Sequence, residues 1–213
     1  MSADFLKNTW VTSDWHVGHN SVLSFCKGSR GHFMDLEHMH KTLVTNYNNM
    51  VKPHQTCYFL GDFAFKGVEY GARVLSQLNG HKVLIRGNHD KGHQSLLNMG
   101  FAAVLDSASF YVFNYLITMS HFPLAGIKRE KCENFATYQE GEGWHGEFKY
   151  KNTFQVLQDT GQDIHLHGHV HSPNNGHSER ILGKQFDVGV DANDLRPISL
   201  RYIINTMKRE RIL

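Results

Sequence analysis

Apolar residues fall along this chain in two alternating rhythms. Short runs rich in β-branched and aromatic residues, Asn8 to Ser13 (NTWVTS), Thr56 to Leu60 (TCYFL) and Lys82 to Ile85 (KVLI), have the length of buried strands. Between them, Met34 to Val51 places Leu36, Met39, Leu43, Val44 and Tyr47 at helical spacing. Val68 to Leu78 repeats that spacing before the stop signal Asn79-Gly80. Strand, helix, strand, helix, strand predicts βαβ units and a mostly parallel sheet. The second half changes character. Ala102 to Ser120 reads as two strands around Asn114-Tyr115, with further strands at Ile164 to His167 and Phe186 to Val190. From Ser199, placed as an N-cap, Leu200, Ile203, Ile204 and Met207 predict a helix. The whole predicts an α/β fold: a four-layer α/β/β/α sandwich of two mixed sheets. Within 122–150, the stretch Gly126 to Tyr150 has charge, glycine and aromatics but no period, which predicts a long loop or lid.

Composition narrows the picture. A chain of 213 residues can bury one sizeable core, so a single domain over 1–213 is expected. A formal charge of +2 is too small to argue for a nucleic-acid or membrane partner. Cys26, Cys57 and Cys132 form no CxxC pair, which argues against a disulfide framework or a cysteine zinc site. The first residues, MSADFLKNTWVTSDWH, lack the apolar run of a secretory leader, and no run reaches membrane-spanning length. A reduced, cytoplasmic setting is therefore expected. Histidine is the outlier, at 16 against 19 glycines.

The chemistry-bearing residues sit immediately after the predicted strands. NTWVTS is followed by Asp14-Trp15-His16, TCYFL by Gly61-Asp62, and KVLIR by Gly87-Asn88-His89-Asp90. YLITMS is followed by His121, and the strand at Ile164 by Gly168-His169-Val170-His171. Open α/β sheets bind ligands in the crevice beyond the carboxyl ends of their strands. Taken singly, each block has an ordinary reading: Asp and Gly favour turns, and a histidine after a strand is commonly a hydrogen-bonded core residue. Five strand ends carrying Asp, His and Asn in one chain point instead to a metal site.

The ordered set Asp14-x-His16, Gly61-Asp62, Gly87-Asn88-His89-Asp90, His121 and Gly168-His169-x-His171 closely resembles the calcineurin-like metallophosphoesterase superfamily. The wording SDWHVGHN and DVGVD is similar to a compact bacterial or phage-type branch. That resemblance implies a binuclear centre, with Asp14, His16 and His171 on one metal, Asn88, His121 and His169 on the other, and Asp62 bridging. Imidazole with carboxylate or amide oxygen suits two divalent transition-metal ions, Mn, Fe, Zn, Ni or Co. The implied reaction is in-line attack on a phosphate ester by a metal-bridging hydroxide, with His89 as general acid and Asp90 available to fix its tautomer.

Other residues keep two readings. Arg86 is a phosphate contact or a solvated strand-end charge, and His19 could line the same crevice. Asn20 reads better as the N-cap of a helix at Ser21 to Lys27 than as a substrate contact. Asp187 and Asp191 are partners of metal-bound imidazoles or turn residues around Gly189. Trp144 and His145 cap the pocket or anchor the loop. In IHLHGHVH, His165 and His167 are expected to be hydrogen-bonded scaffold on a strand, with His167 the better candidate for supporting a ligand, whereas His169 and His171 bind metals. The substrate expected is a phosphate-ester small molecule or a nucleotide, a phosphodiester before a monoester. A nuclease or nucleotide pyrophosphatase is the alternative, with Lys128, Arg129 and Lys131 as its basic cluster; nucleic acid is not favoured and no membrane partner is expected. A non-catalytic interaction module is the remote alternative, because every ligand position and His89 carry the expected residue.

Overall fold

The computed structural model describes residues 3–123, 162–172, 181–182, 184–210 and 213. It contains two five-stranded mixed sheets. In the first, β1 (Thr9–Thr12), β2 (Thr56–Phe59), β3 (His81–Ile85) and β4 (Ala103–Leu105) run parallel and in chain order, and β10 (Ile198–Ser199) pairs antiparallel with β1. Each parallel crossover carries helix: α4 (Leu36–Met50) between β1 and β2, α5 (Val68–Leu75) between β2 and β3, α6 (His93–Met99) between β3 and β4. Successive crossovers of one hand that step in one direction leave their helices on one face. Met39, Leu43 and Tyr47 of α4, Val74 and Leu75 of α5, and Leu96 and Met99 of α6 accordingly share one core with Cys57, Phe59 and Leu84.

Strand alternation sends the other side chains the opposite way. Val11, Leu60 and Ile85 join Val112, Ile117, Met119, Ile164, Leu166 and Phe186 of the second sheet in a core between the sheets. That sheet is ordered β5 (Ala108–Val112), β6 (Tyr115–Met119), β7 (Ile164–His167), β9 (Gln185–Asp187), β8 (Ile181–Leu182), with β6, β7 and β9 parallel. Helix α1 (Ala3–Asn8) and the last helix, α7 (Leu200–Arg209), lend Leu6, Ile203, Ile204 and Met207 to the same core. The expected α/β sandwich with two mixed sheets is therefore the fold. The fourth layer expected over the outer face of the second sheet, and all but residues 122–123 of the lid expected at 122–150, lie outside the described residues. No described helix is long and apolar enough to cross a membrane.

Several local expectations need correcting. Ala102 to Ser120 holds three strands, and the hairpin turns at Phe113-Asn114, with Phe113 at φ 52°. The strand expected at Phe186 to Val190 is β9, ending at Asp187; Val190–Ala192 is a 3-10 turn. No continuous helix runs from Ser21 to Lys27. Two single turns, α2 (Val22–Phe25) and α3 (Lys27–Arg30), are broken at Cys26, and Ser21 rather than Asn20 takes the N-cap position of α2. Helix α5 stops at Leu75, because the N–H groups of Gln77 and Leu78 bond three residues back instead of four.

The cap at Ser199 is as expected: its hydroxyl accepts the Tyr202 N–H at 3.1 Å. Ser199→Ala removes that acceptor and should lower stability by about 1 kcal/mol. Urea unfolding should show a lower midpoint at unchanged slope.

Candidate metal centre

The parallel strands bring the predicted blocks to one end of the sandwich. The two sheets are joined there by a parallel bridge between Ser13 and Gly189, while the Ser13 hydroxyl donates to the Leu60 carbonyl at 2.6 Å and ties the ends of β1 and β2 within the first sheet. Gly168 explains why a glycine precedes the second histidine pair, since a Cβ would overlap the Ser13 hydroxyl. Gly61 does the same before Asp62: its φ is +91°, and a Cβ would lie 2.6 Å from the Gly87 backbone. Asp14, His16, Asp62, His169 and His171 are all left-handed, with φ between 44° and 70°. Asp and His visit this region more readily than β-branched residues, yet the conformation costs of order 1–2 kcal/mol each. Five such residues at one locus mark a place where side-chain direction overrides backbone preference.

Two clusters result. Asp14, His16 and His171 form one; Asp62, His121 and His169 form the other, and in each the ligand atoms lie within 4.8 Å of one another. His16 Nε2 and His171 Nε2 are 3.1 Å apart. His121 Nε2 lies 3.1 Å from His169 Nδ1 and 2.8 Å from Asn88 Oδ1. Asp62 Oδ2 stands between the clusters, 3.8 Å from His16 Nε2 and 3.5 Å from His121 Nε2.

The far sides of the rings fix what these near atoms are. His171 Nδ1 is 2.7 Å from Asp191 Oδ2, and His121 Nδ1 is 2.7 Å from the Leu60 carbonyl. Both contacts require an N–H on Nδ1, so the neutral rings turn lone pairs inward from Nε2. Asp14 adds a buried Oδ1 with no hydrogen-bond partner among the described residues, although its Oδ2 accepts the His169 N–H at 2.9 Å. Inward lone pairs and an orphaned carboxylate oxygen are the donor set of a metal ion. These buried His and Asp groups could hold metal ions, and the residues present fit them.

In the ion-free protein, protons meet the same negative charge. Burial alone would lower His121, but the Asp62 carboxylate outweighs it and holds His121 at about 9. Burial likewise opposes protonation of His171, and its bond to Asp191 lifts it above the usual imidazole range. His16 and His169 are pushed down by burial and stay neutral, as ligands must. Burial raises Asp14 to about 6.

The supports are partly as expected. Asp191 is the partner of His171, whereas Asp187 accepts the Gly189 N–H at 2.8 Å and serves the turn. Asp90 does not hold the His89 ring: its carboxylate accepts the N–H groups of Asp62, Phe63 and Gly87 at 2.8, 3.1 and 2.8 Å, locking the Asp62 loop to the Asn88 loop. Asn88 and His89 follow β3; the His89 N–H bonds Asp62 Oδ1 at 3.0 Å, and the His89 ring is exposed with Nε2 4.0 Å from Asp62 Oδ2. Arg86 is not a solvated charge, since Nε pairs with Asp106 at 2.8 Å. His19 lies beside His16, ring centres 5.5 Å apart. Within β7 both histidines are hydrogen-bonded. His165 bonds Thr118 Oγ1 at 2.8 Å and the Phe122 carbonyl at 3.0 Å and so braces the segment around His121, while His167 Nδ1 bonds the Gly168 carbonyl at 2.9 Å. Trp144, His145, Lys128, Arg129 and Lys131 lie outside the described residues.

Sequence reasoning missed Arg30. Its fully buried guanidinium grips Asp191 with Nε at 2.8 Å and Nη2 at 2.6 Å, and it donates to the Asp14 and Trp15 carbonyls at 2.6 and 3.1 Å. Cys26 Sγ, 3.3 Å from His171 Nδ1, was missed too. Neither belongs to a motif; the only signal is a cationic residue soon after the Asp14-x-His16 block, which has no chemical meaning until the chain is folded.

Fold and site thus define an α/β sandwich protein with two adjoining histidine–carboxylate clusters able to hold metal ions. The gene 66 protein of Mycobacterium phage L5 is 32% identical over 192 residues, 88% of this chain and 88% of that protein, and the chain belongs to its family. An uncharacterized protein of Methanocaldococcus jannaschii is 40% identical over 88 residues, 40% of this chain; the match spans about half, 48%, of that protein's length. A solved structure of a protein of unknown function from Aquifex aeolicus aligns with TM-score 0.63 and 27% identity, over 93% of this chain and 98% of that one. No family model matches the chain.

Two outcomes follow from the supports. Asp191→Asn strips the counter-charge from buried Arg30 and loosens His171. It should cost about 3–5 kcal/mol in a thermal or urea melt and about 10–100-fold in metal affinity by calorimetry. His165 is pushed down by burial to about 3, from the usual imidazole value of 6.5. Between those values only the unfolded chain takes up its proton, so stability from this residue is lost as pH falls below 6.5, by at most about 1.4 kcal/mol per pH unit. His165→Asn should therefore be less stable than the parent at pH 8, and the gap should narrow by pH 5.5.

Proposed function

We propose that this protein is a binuclear metal-dependent phosphoesterase that acts on phosphodiesters, of the calcineurin-like metallophosphoesterase type. The observation that carries the reading is the position of Asp62 Oδ2, within 4 Å of a histidine from each cluster. A carboxylate shared in this way relieves the repulsion between two dications. Asp14, His16 and His171 would hold one ion and Asn88, His121 and His169 the other. When bound, the pair supplies Lewis acidity, a nucleophile from water at neutral pH, and charge neutralisation for an in-line displacement.

The chain supplies the rest. Asp90 accepts the Asp62 backbone N–H and the His89 N–H donates to Asp62 Oδ1, so that backbone and carboxylate of Asp62 are both held. His89, exposed and next to Asp62, donates the proton to the departing alkoxide oxygen. Arg30, through Asp191, keeps His171 oriented and its Nε2 turned inward. A formal charge of +2 favours a small ester over a long polyanion.

After chelation and reloading with Mn²⁺, Ni²⁺, Co²⁺ or Zn²⁺, the protein should turn over bis-p-nitrophenyl phosphate faster than p-nitrophenyl phosphate. Absence of metal-dependent turnover of any phosphate ester would contradict the proposal. His89→Ala should lose about 10²–10⁴ in kcat on an alkyl diester. The loss should be smaller on the p-nitrophenyl diester, whose leaving group departs without a proton, at unchanged metal content.

A further inference from the structure

The mouth of the metal centre is lined with exposed aromatic rings. Phe25 and Phe65 are 55% and 44% exposed, and Phe113, the other strongly exposed phenylalanine among the described residues, belongs to the distant β5–β6 turn. Single exposed apolar residues are ordinary on a protein surface. These two differ because both converge on the histidine rings at the strand ends. Phe65 stacks on His19, centres 4.1 Å apart and planes at 10°, and lies 5.4 Å from His89. Phe25 sits 5.4 Å from His19 and presents edge-to-face contacts to His16 and His171 at 6.3 and 5.8 Å.

The backbone holds both rings in place. Phe65 follows Asp62 by three residues, and its N–H bonds the Val17 carbonyl at 2.8 Å. That bond and the bridge from Val17 to Ala64 splice the Asp62 loop to the Asp14–His16 loop. Phe25 closes helix α2, directly after the same loop. His19 brings a polar atom to the spot: its Nδ1 is buried and has no hydrogen-bond partner among the described residues. Rings left open to solvent at fixed positions, with His89 alongside, form a surface on which a planar group can stack.

Building on the phosphoesterase reading, we infer that Phe65, backed by His19, is a base-binding subsite, so that the substrate is a nucleotide phosphoester whose heteroaromatic ring stacks there. His89 adjoins Phe65, which puts the base on the side of the leaving group. Stacking of a base on an aromatic side chain is sequence-tolerant and is worth roughly 5- to 100-fold in binding. The subsite therefore selects for a base and not for one particular base.

The test is equilibrium binding of AMP and of ribose 5-phosphate, which lacks the base, to the full Mn²⁺-loaded chain. Wild type should bind AMP at least about tenfold more tightly, and Phe65→Leu should bring that ratio toward one. With Zn²⁺ in place of the paramagnetic ion, saturation transfer from phenylalanine ring protons to the adenine protons should appear in wild type, a readout that needs no variant. Equal affinity for the two ligands in wild type, or a ratio unmoved in Phe65→Leu with no transfer to adenine, overturns the subsite. The parent reading fails in a different way: base preference would persist with no phosphoester hydrolysed. Hydrolysis of simple diesters without base preference would sink the subsite and leave the parent reading standing.

Discussion

Lone pairs do not share a small volume unless something positive lies among them. Around Asp62 the chain gathers carboxylate oxygens, an amide oxygen and four imidazole nitrogens at separations of about 3 to 4 Å. In water such an array would fly apart or load protons, and without ions it does load protons, on His121 and His171. Much of the surrounding structure serves to hold this repulsive arrangement together. Ser13 and Gly168 let the two sheets close at their carboxyl ends, Asp90 ties three backbone amides beneath Asp62, and Arg30 neutralises Asp191 so that His171 can be aimed inward.

The backbone carries its share of the cost. Five left-handed non-glycine residues in one locus are unfavourable locally, and the fold tolerates them because two buried cores fix the strands from which they hang. Rigid strands ending in strained, tightly bonded loops are a suitable mount for metal ligands, since a ligand misplaced by an ångström forfeits affinity. The exposed ring of Phe65 rests on the Asp62 loop, and that of Phe25 on the helical turn that follows the Asp14–His16 loop. Substrate recognition and metal binding thus share one scaffold in the proposed enzyme, with a planar group recognised at the rim and a phosphoryl group below.

What the sequence made legible was whatever depends on local pattern. The parallel strands, α4, the Ser199 cap and the placing of Asp, Asn and His after strands all follow from periodicity and turn chemistry, and the folded chain brings those strand ends together. What escaped was set by distant neighbours. Arg30 is a buried cation only because Asp191 comes to meet it from 161 positions away. Asp90 looked like a companion to the adjacent His89, but three amide donors claim its carboxylate. His165 and His167 alternate identically along β7, and only the approach of Thr118 and Phe122 makes His165 the brace for the His121 segment. The helix at Ser21 breaks at Cys26, where the chain turns to bring Arg30 inward and Cys26 against His171.

The central claim is that one carboxylate, Asp62, is shared between two ions. Calorimetric titration of the chelated protein with Mn²⁺ or Zn²⁺, with metal content verified by elemental analysis, tests it most directly. The account predicts two ions per chain, with Asp62→Ala weakening both together while Asp14→Ala weakens chiefly one. Binding of a single ion, or two ions of which only one responds to Asp62→Ala, would contradict it.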